Sequence, residues 1–374
     1  RQKNEELKKS QEELARKQQM WLDARAEMDA MAASAYAMLQ AMEKLGQAWT
    51  ACIEAAEGFE YAMSAVEAVT DATDREMGQL SAVAKEVGAS TIFTATQIAD
   101  SMEYMGLAGW SAQEMIAGIP DVENLAAASG EDLSRVCDIV TDSMMALGYG
   151  TEDTEHFVDV LAQTARSANT NVTLMGDSLK YVASTAGALN YSVEDVATVL
   201  AALASSGIKG SMAGTALRNV LASIADPSAE ASEALKRLGV SLTDSQGGIQ
   251  SLDAMITSLR QGFLQLSEAE KVQYASSIAG KRGMSGMLAL VNMSQEEYDK
   301  LAATIEDCTG AAEQMAATRL DNFHGSTVIL ASAFDALKTS IGEAFTPALQ
   351  KITEDLTGLT NSANDFVKNN KSLV

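Results

Sequence analysis

The chain has 374 residues, 47% of them hydrophobic but only 5% aromatic, with three prolines and nineteen methionines. This composition suits packed helices with adaptable apolar contacts better than sheets, and the length allows two or three domains. A net charge of −24 opposes binding to nucleic-acid phosphates, which needs clustered Lys and Arg, so no tight nucleic-acid partner is expected. Cys52, Cys137 and Cys308 are odd in number and far apart, which excludes a disulfide framework or a zinc spacing and fits a reducing compartment. No uncharged run exceeds about thirteen residues, against roughly 18 or more for a membrane span. Arg1 has no signal-peptide pattern behind it and the chain stops mid-pattern at Lys371–Val374, so a piece of something longer is expected.

The first element is a heptad. Leu7, Leu14, Trp21, Met28, Ala35, Met42 and Trp49 stand seven apart, and a second apolar row, Ala24, Met31, Met38, Leu45 and Cys52, follows three residues on. Lys, Glu, Gln and Arg fill the flanks up to Gln19. The pattern predicts a long helix over residues 1–70 that forms a coiled coil or lies along its own domain. Its seam would comprise Leu14, Trp21, Met28, Met31, Met38, Met42 and Leu45.

From about Thr70 the pattern breaks into shorter helices, which predicts a compact multi-helix core over 71–318. Thr94–Gln97, Ser111–Glu114, Ser267–Glu270 and Ser294–Glu297 have capping-box spacing, with Ser192–Asp195 a looser version. Gly106, Gly130, Gly148, Gly207, Gly239 and Gly310 are the expected helix stops. Only Val240–Ile249 suggests extended chain, as a small hairpin or loop. A weak internal repeat pairs Asp100–Met105 with Asp177–Val182. Each copy is followed by an aromatic–Ser step (Trp110-Ser111, Tyr191-Ser192) and closes on a small-residue turn (Ala127–Gly130, Ala204–Gly207). Two copies of a two-helix unit are one reading; coincidence in an Ala/Ser-rich chain is the other.

Residues 319–374 form an amphipathic helical segment. Phe323, Ile329, Leu330, Phe334, Leu337, Ile341, Phe345, Leu349, Ile352 and Leu356 recur at three- and four-residue steps. A break is expected near Thr346-Pro347, where Pro suits the first turn of a new helix. The predicted fold class is therefore all-α: a long coiled-coil-type helix, a core of short helices, and long amphipathic C-terminal helices.

Chemistry is hard to place on this chain. Of the two histidines, His156 and His324, the first stands among Glu152, Asp153 and Glu155 on a polar helix start. Neither an H-E-x-x-H nor a Cys pair at metal spacing occurs, and Gly283-Met284-Ser285-Gly286 fails the nucleophile-elbow pattern by one residue. The stretch Gly207–Leu221 resembles a phosphate loop but lacks its Lys-Ser/Thr pair, with Lys209 misplaced. No catalytic, cofactor or metal residue is predicted. Gly210 and Gly214 are instead small residues four apart that allow another helix close, and Arg218, four further on, would need an acidic or carbonyl partner if that face is buried.

These segments, in order, resemble the phage tail tape measure protein family from about Phe59 to Leu356. The resemblance is carried by Phe59–Val66, Leu80–Phe93, Gly210–Arg218, Leu235–Val240, the Gly280–Gly283 turn, Arg319–Ser326 and Ser340–Leu349. Gly210, Gly214, Arg218, Gly283, Arg319, Asn322, Gly325, Ser326, Gly342, Glu343 and Pro347 are the family-type positions, with structural or interface roles expected. The resemblance implies a non-enzymatic virion protein of the tail lumen, made in the host cytoplasm, that helps set tail length and is ejected with the genome. It further implies contacts with tail tube, tail tip or baseplate and assembly-chaperone proteins, and with the host envelope. Self-association, with three copies suggested by tube symmetry and the heptads, is also expected. The competing reading is a membrane-active protein whose Gly325–Leu356 helices insert at DNA ejection.

Overall fold

The computed structural model describes residues 2–241, 243 and 248–369, and the regular elements among them are helices. Within 240–249 the described residues form a single antiparallel bridge, Thr243 to Ile249. The backbone divides into two compact units, one of Arg1–Glu57 with Lys338–Val374 and one of Gly58–Leu337. Helix α1 (Gln2–Val69) and the last helix, α15 (Phe323–Asn369), each contribute to both.

The larger unit is a stack of helical hairpins. After α2 (Asp74–Ser90) come α3 (Ala95–Leu107), α4 (Ala112–Ser129), α5 (Leu133–Leu147), α6 (Thr154–Ser167), α7 (Val172–Ala188), α8 (Val193–Ser205) and α9 (Ser211–Ala225). Helix α3 packs on α5, α5 on α7 and α7 on α9, while α4 packs on α6 and α6 on α8 in a second row. The first row starts at Ala95, Leu133, Val172 and Ser211, so the two-helix unit recurs in steps of 38, 39 and 39 residues. The sequence repeat noted above therefore joins the first and third hairpins of a longer series, skipping the second. The remaining helices are α10 (Ala229–Leu238), α11 (Leu252–Leu264), α12 (Glu268–Asn292), α13 (Gln295–Glu306) and α14 (Ala311–Leu320). Helix α12 closes the first row against α9, and α13 and α14 return along the second row, across α8, α6 and α4.

One local device builds each hairpin. Gly109, Gly148 and Asn190 sit at the inner turns with φ of 86°, 86° and 58°, a left-handed conformation that favours Gly and tolerates Asn. The next residue is aromatic each time, and its N–H reaches back into the preceding helix: Trp110 to Met105 O at 3.0 Å, Tyr149 to Met144 O at 2.9 Å, Tyr191 to Ala186 O at 3.0 Å. This satisfies carbonyls that the helix end would orphan. The rings then link elements: Trp110 fills the space over Gly118, and the Tyr149 hydroxyl accepts the Val193 N–H at 2.9 Å at the start of α8.

The helix starts follow the capping chemistry read from the sequence, with full boxes at Thr94, Ser111, Ser267 and Ser294 and a side-chain cap from Ser192 to Asp195 N. A further box, Thr73–Glu76, starts α2. Two glycine stops are corrected. Gly106 lies inside α3, where its missing Cβ makes room for Val69, and Gly310 begins α14 with φ of 71°. The expected break at Pro347 is also corrected, because α15 runs unbroken through it. Pro removes one N–H from a helix of 47 residues, and the preceding turns are held against α1.

In the smaller unit α1 and α15 run antiparallel. A Cβ on Gly342 would stand 2.1 Å from the Cys52 carbonyl oxygen, and Trp49 meets Phe345 edge-on with ring centroids 4.4 Å apart. Glu343 is half-buried and Pro347 exposed. Of the heptad seam, Leu14, Trp21, Met28, Met31, Met38 and Met42 lie outside the residues whose side chains are described, and Leu45 is 70% exposed.

Candidate functional site

Apart from Gly342, Glu343 and Pro347 in the smaller unit, the family-type positions form two clusters in the larger unit. The first is a seam around α9. A Cβ on Gly214 would stand 2.1 Å from the Ser178 carbonyl oxygen and 3.0 Å from Ser178 Cα, so α7 and α9 meet at backbone distance. On the side of α9 that faces α12, Gly286 would place a Cβ 2.5 Å from Ala216 Cβ, and Gly283 would place one 3.5 Å from Asn219. Gly210 differs in kind. Its φ of 56° and ψ of −139° open α9, and only side-chain atoms of Leu174 and Asp177 lie near its missing Cβ. The Ser178 hydroxyl donates to its carbonyl at 2.9 Å. The two glycines thus serve separate ends, space at 214 and backbone angle at 210.

Arg218 is exposed. The buried stripe of α9 runs through Ala213, Ala216, Leu217, Val220, Leu221 and Ile224, and Arg218 falls just off it on the helical period. The condition under which the sequence called for an acidic or carbonyl partner, a buried face at Arg218, is therefore not met. Across the seam, Gly280 takes φ 69° and ψ 169° and bends α12 just before Gly283.

The second cluster is the corner between α14 and α15. Asn322 Nδ2 donates to the Arg319 carbonyl at 2.6 Å, and its Oδ1 accepts the Gly325 N–H at 3.0 Å. One side chain therefore ties the end of one helix to the first turn of the next. Ser326 N–H and hydroxyl both reach the Asn322 carbonyl, at 3.1 and 3.2 Å. Gly325 is required because a Cβ there would stand 2.2 Å from the Leu320 carbonyl oxygen. Arg319 donates from Nη1 to Ala128 O at 3.1 Å, and its guanidinium lies over Gly130. That puts a cation at the C-terminus of α4, where the helix dipole favours one.

Buried polar groups that the sequence reading missed hold α13 and α14 down. Asp159, 4% exposed, accepts the Gly310 N–H at 2.6 Å and the Ala312 N–H at 2.9 Å, an anion at the start of α14. One turn on, Gln163 donates to Thr304 O at 2.7 Å and accepts from Arg166 Nη2 at 2.6 Å. The signal was present: Asp159 and Gln163 interrupt a run otherwise made of Phe157, Val158, Val160, Leu161 and Ala162, all buried. On α4, burial raises the Glu123 carboxyl to about 7. Asp121 is raised to about 6 by burial and by the neighbouring Glu155 and Asp159. His156 pairs with Glu194 at 2.5 Å and links α6 to α8. Among the described residues no group of three His, Cys, Asp or Glu could hold a metal, and no helix is long and apolar enough to cross a membrane.

These elements define a packing module, in which the distinctive residues set helix–helix distances and corners. Residues 81–280 match the family model described as phage-related minor tail protein, and the chain belongs to that family. It is 33% identical over 307 residues to the tape measure protein of Pneumococcus phage Dp-1, covering 82% of this chain and 27% of that protein. It is 28% identical over 301 residues to the probable tape measure protein of Escherichia phage P2, covering 80% of this chain and 37% of that protein. The chain thus spans roughly a quarter to just over a third of these relatives. No solved structure matches.

Proposed function

We propose that this chain is the compact helical part of a phage tail tape measure protein, structural and non-catalytic. The observation that carries this reading is the match to two tape measure proteins across 82% and 80% of the chain. In this reading the protein is made in the host cytoplasm, occupies the lumen of the tail tube and leaves with the genome. Its partners are the tube, tip or baseplate and assembly-chaperone proteins, and the host envelope at ejection.

The geometry supports a docking rather than a measuring role for residues 58–337. A straight helix of 39 residues would advance about 58 Å, whereas one such hairpin advances the stack by a single interhelical spacing, about 8–10 Å. Linear measurement would fall to the remaining length of the protein. Self-association is supported by α15, where Phe323, Leu330, Phe334 and Leu337 stand exposed at heptad-compatible spacing. Three copies is the proposed number, and sedimentation of the purified chain tests it.

Deletion of residues 58–337 in the phage tests the whole reading. No tails are expected by electron microscopy; tails of normal length would overturn it. The membrane-active alternative is not the one these observations favour.

A further inference from the structure

A cavity between the ends of α4 and α6 and the later turns of α14 gathers two cations and no carboxylate. Its volume is about 420 Å³, and its lining is Ala128, Arg166, Gln314, Met315, Thr318 and Arg319. Among the described residues Arg135, Lys180, Arg237 and Lys271 each pair with a carboxylate, whereas Arg166 and Arg319 do not. The chain carries 51 acidic residues against 27 Lys and Arg, so two unneutralised arginines at one opening run against its own charge balance.

Each guanidinium is held by a single nitrogen. Arg319 Nη1 donates to Ala128 O at 3.1 Å, and Arg166 Nη2 to Gln163 Oε1 at 2.6 Å. A guanidinium offers more N–H donors than one bond uses. Both side chains are exposed, which leaves the remaining donors open to solvent. Thr318 donates to the Gln314 backbone carbonyl at 2.8 Å, and the exposed Gln314 side-chain amide is left unbonded among the described residues. Two carboxylates on neighbouring turns are engaged elsewhere, Glu131 with Thr173 and Asp159 with Gly310 and Ala312. The cavity holds the volume of about fourteen waters at ~30 Å³ each. Half-buried Met315, beside Ala128, gives it an apolar wall for an aliphatic stem. Arginine forks match the planar carboxylate, and the negative end of α4 at Ala128 selects against a doubly charged anion.

We propose that this cavity binds a carboxylate, gripped by Arg166 from α6 and Arg319 from α14, with Gln314 donating beside them. Empty, it sets two like charges from different helices around one space; filled, it ties α14 to α6. The carboxylate comes either from a small free acid or from an acidic side chain of a protein partner.

Titration of the full ¹⁵N-labelled chain with sodium glutarate, sodium chloride and a hexaglutamate peptide, at constant ionic strength, tests this. Glutarate, but not chloride, should shift the Arg166 and Arg319 Nε–H resonances along one common saturation curve and raise the unfolding temperature. Arg166→Gln, at an exposed position, should weaken that binding roughly tenfold. Gln314→Glu supplies the carboxylate from α14 itself, so it should raise the unfolding temperature with nothing added and abolish the glutarate response. A peptide that binds no tighter than glutarate, per carboxylate, assigns a free acid; a tighter one assigns a protein partner. Resonances indifferent to both glutarate and peptide overturn the site, leaving Arg319 as the cap of α4 and Arg166 as a brace for Gln163. Undiminished binding by either variant overturns it as well.

Discussion

Replacing Gly214 by Ala places the tightest demand on the stack. Taken alone, Gly→Ala inside a helix stabilises by about 1 kcal/mol. Here the added methyl would meet the Ser178 carbonyl oxygen at 2.1 Å, where an ordinary carbon–oxygen contact needs about 3.3 Å. Relief requires α7 and α9 to separate by about 1.2 Å. On the α12 side, Ala216 already faces Gly286, where a Cβ would stand only 2.5 Å away, so α9 has no slack to retreat into. Overpacking typically costs about 1–3 kcal/mol, and backbone on both sides puts this site at the upper end. The net loss is about 2 kcal/mol, or roughly 4–8 °C in unfolding temperature for a large domain. Gly78→Ala is the matched control: it lies inside α2 with nothing within 4 Å, and should gain about 1 kcal/mol. Thermal unfolding of both variants by circular dichroism is the assay. If Gly214→Ala rises alongside Gly78→Ala, the close approach of α7 and α9 is not what fixes glycine there.

Three further outcomes are expected. Asn322→Ala should cost about 1–2 kcal/mol, and limited proteolysis should then cut first at the α14–α15 corner. Asp159→Asn, which keeps one acceptor but loses the charge at the start of α14, should cost about 2–3 kcal/mol in urea unfolding. Glu123 has a folded-state carboxyl raised by burial to about 7 from 4.5, so its stabilising contribution is complete below pH 4.5 and is lost as pH rises through 7. Stability should therefore fall over that window, by up to about 3 kcal/mol from this group. Glu123→Gln should flatten the slope, matching the parent at pH 5 and exceeding it at pH 8.

Much of the local structure was legible because its causes are local. The Ser and Thr boxes announce helix starts, and Gly130, Gly148 and Gly239 take left-handed stops at 70°, 86° and 71°. The Thr73–Glu76 box was harder to see because α2 buries little beyond Leu80, Ala84 and Gly88, too thin a stripe to mark the helix. The hairpin period was hidden for a different reason. A short 3-10 turn, Thr151–Asp153, precedes α6 and puts its start 42 residues after that of α4, so the middle hairpin slips out of register with its neighbours. Asn190 also replaces the glycine of the other two inner turns. At the candidate positions, a four-residue glycine spacing reads as one motif, yet Gly210 and Gly214 answer to different constraints. That distinction depends on where α7 lies, which no local pattern records. Asp159 stands out as a polar break in an apolar run, but its partners, the backbone N–H groups of Gly310 and Ala312, leave no trace in side-chain composition.

The return of α13 and α14 across the hairpins decides how the stack gives way under load. Tension entering through α15 arrives first at Asn322, then at α14, which is fastened by Arg319 to α4 and by Asp159 to α6. The strap, also held at α13 by Gln163 to Thr304 O, must tear from these anchors before the hairpins can peel. Once it is off, each hairpin is braced chiefly by its neighbours in the two rows and can peel singly. A pulled chain would then show one high rupture followed by a staircase of lower, evenly spaced ones.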